Sequence, residues 1–343
     1  MDRVQRYLFI NFVGSFASLF STLFIIMSIV FFLQIARITS FIEINFSELV
    51  KLYLFMLPRI LIFTVPIAFF VALSISLFRL SKENETIVIF TIGYATRKIA
   101  LFFGISAALC SLALLFVSLF MMPIAENLKD NFIDYKKISA TLNIKSNEFG
   151  QKFSDWLVFI DSQENNGTST LYKDLVLYNP GGSQDHERMI VARSGEFKNE
   201  NASFSAMLHD GKIYTMGGEQ WHVSEFESLT LRTQSDRNIR GGGGVIGYWS
   251  DMSGSEKRRK EFSIYTLVSL FPLASFLFAL SLGIVTYRYE KGFVYAGIFG
   301  VLFSYFALIM LLSKHPSIAL PVTFGVTLIA SLLYYRIKIA PRY

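Results

Sequence analysis

Six long apolar stretches, three on each side of a polar middle region, constrain the fold more than any other feature of the chain. Each is long enough to cross a bilayer, which takes about 20 apolar residues in a helix. They cover approximately residues 7–36, 50–80, 99–124, 263–287, 294–312 and 318–335. Hydrophobic residues make up 52% of the 343 residues, which is not typical of a soluble globular protein. The sequence therefore predicts an α-helical membrane protein with six transmembrane helices, arranged three plus three.

The polar middle region predicts an inserted all-β domain, either a small antiparallel sandwich or a jelly-roll-like fold. Seven short strand-like runs recur there, and Val158 and Ile160 show the period of two that places side chains on one face of a strand. Asp210-Gly211, between two of the runs, predicts a hairpin turn. The expected division is residues 1–126 for helices one to three, 127–261 for the β domain and 262–343 for helices four to six.

The distribution of Lys and Arg predicts the orientation in the membrane. Short loops on one side hold eleven of these residues, and those on the other side hold three, Arg37, Lys51 and Lys314. Basic loops stay in the cytoplasm, so we expect both termini to be cytoplasmic and the β domain to be periplasmic. The basic run Lys257–Lys260 precedes the fourth stretch and runs against this pattern, although long domains cross regardless of charge. It is a candidate for contact with anionic headgroups.

The loop at residues 79–98, between the second and third stretches, predicts a short amphipathic helix. Ser81 is a candidate cap, and Glu83 and Glu85 provide acidic charge in the first turn, where it suits the helix dipole. Three larger residues at spacings of three and four predict one shared face: Ile87, Phe90 and Tyr94. Two interpretations remain open, a lever for a partner protein and a helix that lies on the bilayer surface.

Several segments resemble the lipopolysaccharide export permease family LptF/LptG. They include Val65-Pro66-Ile67, then Phe78-Arg79-Leu80-Ser81 and Asn84-Glu85, and Arg6-Tyr7-Leu8 at the start of the first stretch. The residues Gln34–Ile38 and Leu157–Asp161 are more similar to the LptF branch than to LptG. One departure is visible, because the family often has an Arg shortly after the Glu-apolar pair that opens the fourth helix. Here Glu261-Phe262 is followed by Ser263-Ile264-Tyr265.

The resemblance implies a permease subunit of an inner-membrane ABC transporter that is not itself an enzyme. Its implied partners are a homologous LptG-like permease, an LptB-like ATPase dimer, and LptC-like and LptA-like jelly-roll proteins. The loop at 79–98 would then dock on the ATPase. Glu85 matches the family's acidic position there, and three neighbours are further candidates: Glu83, Ile87 and Phe90. We expect no cofactor in the chain, since it lacks the G-x-x-x-x-G-K-[ST] loop that holds ATP phosphates, and ATP is bound by the partner.

Cations near the outer ends of the helices are candidates for binding lipopolysaccharide, whose lipid A part carries phosphates and acyl chains. Arg59 has apolar neighbours, and Arg37 also matches a family position, so a cargo role is preferred for both. Lys51 and Lys314 are further candidates, although the ordinary snorkelling of interfacial lysines is the preferred explanation for both.

The predicted function is extraction of lipopolysaccharide from the outer leaflet of the inner membrane and its transfer to a periplasmic jelly-roll bridge, driven by the ATPase. The alternative is a mechanotransmitting permease of another envelope system that carries no lipid itself. A membrane-embedded enzyme is disfavoured because Asp and Glu are nearly absent from the six stretches. The four His residues lack the spacing of zinc sites, so no metal is expected.

Overall fold

A computed structural model describes residues 2–39, 44–141, 151–153, 156–165, 170–180, 187–200, 203–217, 220–233, 244–250, 254–284 and 291–339. Within these residues the chain forms nine α-helices, one π-helical turn and six β-strands. It divides into two compact units. The helical unit comprises residues 1–40, 44–129 and 240–343, and the β unit comprises residues 41–43 and 130–239.

The helices confirm the prediction of six membrane spans. Their bounds are α1 Arg3–Thr39, α2 Phe46–Lys82, α3 Glu85–Thr91, α4 Thr96–Phe116, α5 Met122–Thr141, α6 Gly244–Ser250, α7 Glu256–Gly283, α8 Lys291–Leu312 and α9 Pro316–Lys338. The π-helical turn Val117–Met121 joins α4 to α5, so that the third span is one continuous helix. Among the residues that the structure describes, six segments are long and apolar enough to cross a membrane: Arg3–Arg37, Phe46–Lys82, Thr96–Ile133, Glu256–Gly283, Gly292–Leu312 and Pro316–Lys338.

The core of the helical unit lies between α2 and α7, whose residues are mostly buried, whereas the other spans expose most of theirs. The two helices approach closely at Gly283, where an added Cβ would lie 2.5 Å from the Cβ of Leu77. The rings of Phe70 and Phe271 pack edge to face between them, with centroids 5.4 Å apart. Helix α1 packs along α2, and α4 and α9 pack along α7. The central pair therefore provides the frame on which the remaining spans lie.

Several polar groups inside this core form hydrogen bonds within the helical unit, whereas the buried hydroxyls of Ser118, Thr266 and Thr323 have no partner among the described atoms. Ser74 and Ser269 donate to carbonyls four residues earlier in their own helices, at 2.9 and 2.7 Å. Pro272 interrupts α7, and the backbone N–H of Leu273 donates instead to Ser111 Oγ of α4 at 3.2 Å. These bonds tie neighbouring spans together where hydrocarbon offers no alternative partner.

The β unit is a single antiparallel sheet in which each strand pairs with the next in the sequence. The strands are β1 Gln151–Phe153, β2 Trp156–Asn165, β3 Thr170–Asn179, β4 Glu187–Glu200, β5 Ser203–Gly217 and β6 Gln220–Thr233. This confirms the inserted β domain. The predicted hairpin at Asp210-Gly211 is wrong, since β5 runs through both residues and pairs with β4 and β6 on either side of them.

The residues that mimic a turn belong to a row of unpaired positions that crosses five strands. We call it the kink row, and its members are Asp161, Asp174, Arg193, Asp210 and Glu227. Asp174 and Asp210 have φ values of 53° and 52°, where only short polar residues and Gly are common. The alternation of buried residues shifts at the row, so that in β3 the buried residues Tyr172 and Leu175 are three positions apart instead of two.

The division between units differs somewhat from the boundaries expected from the sequence. The first falls inside α5, after Lys129, rather than after residue 126. At the other end, α6 and the first turns of α7 belong to the helical unit, although they lie before residue 262. The charged residues at the start of α7 are therefore part of the helical unit.

Candidate functional site

Helix α3 is held under the ends of α2 and α7 by a short chain of hydroxyl groups. Thr86 Oγ1 donates to Ser81 Oγ at 3.3 Å, and Ser81 Oγ donates to the carbonyl of Gly283 at 2.9 Å. Ser81 therefore lies in the last turn of α2. The sequence suggested that Ser81 caps α3, and this prediction is wrong. The residue before α3 is Asn84, which has a φ of 63°, and Gly93, with a φ of 84°, turns the chain after it.

The apolar residues of α3 divide into two faces, and the division differs from the predicted one. Phe90 and Tyr94 are partly buried and pack against the core of the helical unit. Ile87 does not pack against this core and is 42% exposed. It forms an exposed apolar surface with two neighbours, Val88 and Ile92, which are 55% and 76% exposed. We call Ile87, Val88 and Ile92 the docking face.

The acidic residues predicted to contact the ATPase have different surroundings. Glu85 Oε2 accepts a hydrogen bond from the hydroxyl of Tyr7 in α1 at 2.5 Å. Glu83 is exposed, and its backbone N–H bonds to the carbonyl of Arg79 at 3.0 Å. The side chain of Arg79 donates to Asn11 Oδ1 of α1 at 2.6 Å. Two side-chain bonds thus join the start of α1 to the loop that carries α3.

A group of charged side chains lies where α2, α5 and the start of α7 come together. Its cations outnumber its carboxylates seven to three, and we call it the charged cluster. Its members are Arg59, Glu126, Lys129, Glu256, Lys257, Arg258, Arg259, Lys260, Glu261 and Lys314.

Arg59 has the most specific contact in the charged cluster. Its Nη2 lies 3.2 Å from Glu126 Oε2 of α5, and the other oxygen of Glu126 binds Lys129. The side chain of Tyr265, from α7, lies beside the same guanidinium. Arg59 therefore lies near the start of α7, the fourth membrane span. The family often has an Arg there, after the pair that is Glu261-Phe262 in this chain, and this chain does not.

The other predicted cations lie at more exposed positions. Lys314 Nζ lies 3.6 Å from Glu256, which also pairs with Lys260 at 3.0 Å, and both contacts are exposed. Arg37 and Lys51 are exposed, near the end of α1 and the start of α2. The contacts that define the charged cluster do not include them. The structure thus brings Arg59 and Lys314 into one cluster with the basic run, while the roles of all four residues stay predictions.

Helix α6 packs on the charged cluster through two aromatic residues. Trp249 Nε1 donates to the carbonyl of Leu119 in the π-helical turn at 2.9 Å. The ring of Tyr248 lies 3.5 Å under the guanidinium of Arg258, and its hydroxyl donates to Glu261 Oε2 at 3.4 Å. Burial raises the pKa of the Tyr248 phenol well above its usual range, so this hydroxyl stays a donor at every physiological pH.

Helix α2 connects the charged cluster with α3. Lys82, the last residue of α2, lies 23 positions after Arg59, which is a rise of about 35 Å at 1.5 Å per residue. That length is close to the hydrocarbon thickness of a bilayer, about 30 Å. Arg59 and the end of α2 are therefore separated by about the thickness of a bilayer.

A shallow apolar groove of about 400 Å³ runs between α1 and α2. Its lining residues are Phe24, Ile25, Ser28, Ile29, Phe32, Leu33 and Tyr53. The hydroxyls of Ser28 and Tyr53 are 2.8 Å apart and satisfy each other. The surface left open is therefore suited to hydrocarbon.

A model of the lipopolysaccharide export system permease family LptF/LptG matches residues 6–242. The chain belongs to the LptF/LptG family. No curated protein sequence matches it. The match confirms the resemblance seen in the sequence motifs. One model describes both branches of the family, so the match does not distinguish LptF from LptG. It includes Tyr7, Arg59, Glu85 and Glu126, whereas α6 to α9 lie beyond it.

Membership of the LptF/LptG family, together with six apolar helices, establishes a multi-pass inner-membrane permease of lipopolysaccharide export. Sequence reasoning missed several contact residues of the site. Glu126 follows directly on an apolar span, which is itself a signal for an ionisable group at a membrane edge. Tyr248 and Trp249 stand together between a glycine run and the basic run, a pattern that indicates an aromatic anchor. Tyr7 gave no signal of its contact with Glu85.

Proposed function

We propose that this LptF/LptG permease takes lipopolysaccharide from the outer leaflet of the inner membrane and passes it to a periplasmic bridge of jelly-roll domains. The observation that carries the proposal is the course of α2, a mostly buried helix with a cation-rich cluster near one end and the docking face beyond the other. A force applied to α3 is transmitted along such a helix because its contacts leave little room for independent movement.

The charged cluster supports a role in holding the cargo. An excess of four cations over carboxylates attracts the phosphates of lipid A at the headgroup level. Arg59 contributes from inside the second span, and the groove between α1 and α2 suits an acyl chain. Arg37 and Lys51 extend the positive charge toward the loop between these helices.

The docking face supports attachment of a separate ATPase. Ile87, Val88 and Ile92 expose apolar surface on a loop that also carries Glu83 and Glu85. An exposed apolar surface bordered by charge is typical of a protein contact. ATP is bound by this partner, an LptB-like dimer, and the permease supplies no catalytic residue.

The remaining parts of the proposal concern assembly and orientation. The chain pairs with a homologous LptG-like permease and takes the LptF position, and LptC-like and LptA-like proteins continue the bridge from its β unit. Both termini lie in the cytoplasm, and the β unit lies in the periplasm. The excess of basic residues in the loops on the α3 side supports this orientation.

A co-purification experiment tests the proposal. The chain is produced with its homologous permease and an ATPase subunit, extracted in detergent and analysed for bound lipopolysaccharide and for ATPase stimulation by it. We expect retention of the lipid, and reduced retention for Arg37→Glu and Arg59→Glu. Because Arg59→Glu also places two carboxylates together, the exchange Arg59→Glu with Glu126→Arg serves as the control that restores the ion pair. An ATPase complex that forms but neither retains lipopolysaccharide nor responds to it contradicts the proposal.

That last outcome would favour a mechanotransmitting permease that carries no lipid. The continuous helix from Thr96 to Thr141 is the observation in favour of this second candidate, because a single helix carries movement out of the membrane. In that case ATPase activity responds to a periplasmic partner and is indifferent to lipopolysaccharide.

A further inference from the structure

The third membrane span contains a proline at the point where its helical hydrogen bonding changes. Pro123 lies in the first turn of α5, directly after the π-helical turn Val117–Met121. Proline has no N–H, so the usual helical donor to the carbonyl of Leu119, four residues earlier, is missing. Prolines and π-helical turns are both common causes of a bend in a helix. The span therefore has a point at which it can bend, between α4 and α5.

Helix α6 supplies the donor that Pro123 cannot provide. Trp249 Nε1 donates to the carbonyl of Leu119 at 2.9 Å. Prolines are tolerated in membrane helices where a neighbouring element satisfies the freed backbone groups, and Trp249 has this role here. The buried hydroxyl of Ser118, in the same turn, has no partner among the described atoms. The hydrogen bonding of the turn therefore depends on a residue from outside the span.

The attachment of α6 depends on few residues. The helix has seven residues, which is too short for a helix to be stable by itself. The ring of Trp249 packs edge-on against Phe262 of α7, with centroids 5.2 Å apart, and against Tyr248, with centroids 5.0 Å apart. Ile246 of the same helix is exposed. The contacts that hold α6 centre on two aromatic side chains, so its release does not require the α2–α7 core to open.

The position of the π-helical turn determines which contacts a bend would change. Glu126 lies about two helical turns after Leu119, on α5. Its carboxylate pairs with Arg59 of α2 at 3.2 Å and also binds Lys129. In the chain, α5 precedes the strands of the β unit and α6 follows them. The element before the β unit and the element after it therefore meet at this turn.

We propose that the π-helical turn with Pro123 is a hinge and that α6 is its clasp, with Trp249 as the positioning residue that keeps Glu126 beside Arg59. While Trp249 is bonded to the carbonyl of Leu119, α4 and α5 act as one continuous helix. When α6 is released, the turn bends and α5 carries Glu126 away from Arg59. The device goes beyond the proposed export function, because the hinge and the clasp depend on no particular cargo.

Distances between spin labels on the full chain in nanodiscs, measured by pulsed electron paramagnetic resonance, test the hinge. Labels replace the exposed residues Leu54 of α2 and Leu128 of α5, and the control pair is Leu54 with the exposed Leu112 of α4, before the hinge. The free Cys110 is replaced by Ser so that only the chosen positions react. Leu128 lies about 14 Å beyond Leu119 along the helix, so a bend of about 20° displaces it by about 5 Å.

Trp249→Phe keeps an aromatic ring and removes the N–H that donates to the hinge. We expect a second population in which the distance between the labels at 54 and 128 is shifted by about 5 Å. The distance in the control pair should stay as in the wild type. A wild-type distance distribution for the first pair overturns the proposal. A shift of similar size in the control pair also overturns it, because the whole helical unit would then have loosened.

A second substitution separates the hydrogen bond from the loss of ring volume. Adding Pro123→Ala to Trp249→Phe introduces a backbone N–H that donates to the carbonyl of Leu119 in place of the indole. We therefore expect the double variant to recover the wild-type distance between the labels at 54 and 128. A double variant that keeps the shifted population overturns the role of the Trp249 bond, since packing of the ring would then explain the effect.

Discussion

The phenolic oxygen of Tyr7 lies 2.5 Å from the carboxylate oxygen Oε2 of Glu85, and this bond joins the start of α1 to the first residue of α3. A second bond, between Arg79 and Asn11, runs parallel to it. Leu8 and Phe12 of α1 are buried in the core, so apolar and polar contacts together fix its first turns. Movement of α3 should therefore be passed to α1 as well as to α2.

Tyr7→Phe tests this link. The ring stays and the hydroxyl is lost, so we expect lipopolysaccharide-stimulated ATPase activity of the assembled complex to fall about threefold, because one hydrogen bond to a charged group is removed. Tyr295→Phe, on an exposed residue of α8, is the matched control and should have no effect. Equal activity of the two variants would mean that α1 does not follow α3.

Glu85→Ala should leave the chain folded in the membrane and loosen the ATPase partner. The carboxylate is lost both as an acceptor for Tyr7 and as the acidic group of the loop. We expect recovery of the co-purified ATPase to drop about tenfold, as for loss of a charged contact at an interface. Glu83→Ala removes an exposed carboxylate two residues away and serves as the comparison. Unchanged ATPase recovery with Glu85→Ala contradicts the docking role.

The two faces of α3 should respond differently to truncation. Ile87→Ser alters only exposed surface, so we expect weaker ATPase binding with an unchanged melting temperature. Phe90→Ala removes a ring that packs on the core and should lower stability by about 1–3 kcal/mol, less than for a fully buried Phe because the ring is only partly buried. Thermal unfolding in detergent and ATPase pull-down separate the two effects. A stability loss for Ile87→Ser would place that side chain in the core after all.

Loss of Glu126 should destabilise the helical unit, because it leaves two cations, Arg59 and Lys129, without their shared partner. We expect Glu126→Gln to lower stability by about 1–2 kcal/mol, less than for a fully buried pair since the side chains keep some exposure. Glu256→Gln is the control, as its ion pairs are exposed, and should leave the melting temperature unchanged. Similar melting temperatures for both variants would mean that the pair of Arg59 and Glu126 contributes no more to stability than a surface ion pair.

Gly211 should tolerate no side chain. An added Cβ would lie 2.4 Å from the carbonyl oxygen of Val191 and 2.5 Å from the Phe226 ring. Gly211→Ala should therefore destabilise the β unit by about 1–3 kcal/mol, seen as faster amide hydrogen exchange in β4 to β6. Gly325→Ala, where the added atom meets nothing within 4 Å, is the control. Wild-type exchange rates in Gly211→Ala would mean that the sheet adjusts to accommodate the added methyl group.

The spans were predictable because each is specified by its own composition. Arg59 was found for a similar reason, since a charge with apolar neighbours is conspicuous in any sequence. Its partner Glu126 lies 67 residues away, and nothing local selects it. The face of α3 was predicted wrongly for Ile87, because seven residues are too few to set a face and the core contacts of Phe90 decide it.

The β unit shows the same limit. Alternation along the strands revealed the sheet, but Asp210-Gly211 has the composition of a turn and occupies a continuous strand. Whether such a pair reverses the chain or only kinks it depends on the neighbouring strands, which keep pairing on both sides. The sequence of one strand alone does not show whether the pair reverses the chain or only kinks it.

The kink row has a consequence for how the β unit tolerates change in length. Its five members stand opposite one another across the sheet. The alternation of buried and exposed side chains therefore starts again at the same line in the strands that cross it. Deleting one residue between Asp210 and the end of β5 would turn the outward side chains of that half inward. The pairing register of β5 with β6 is the same on both sides of the row, so such a deletion would break a register that runs through the whole sheet.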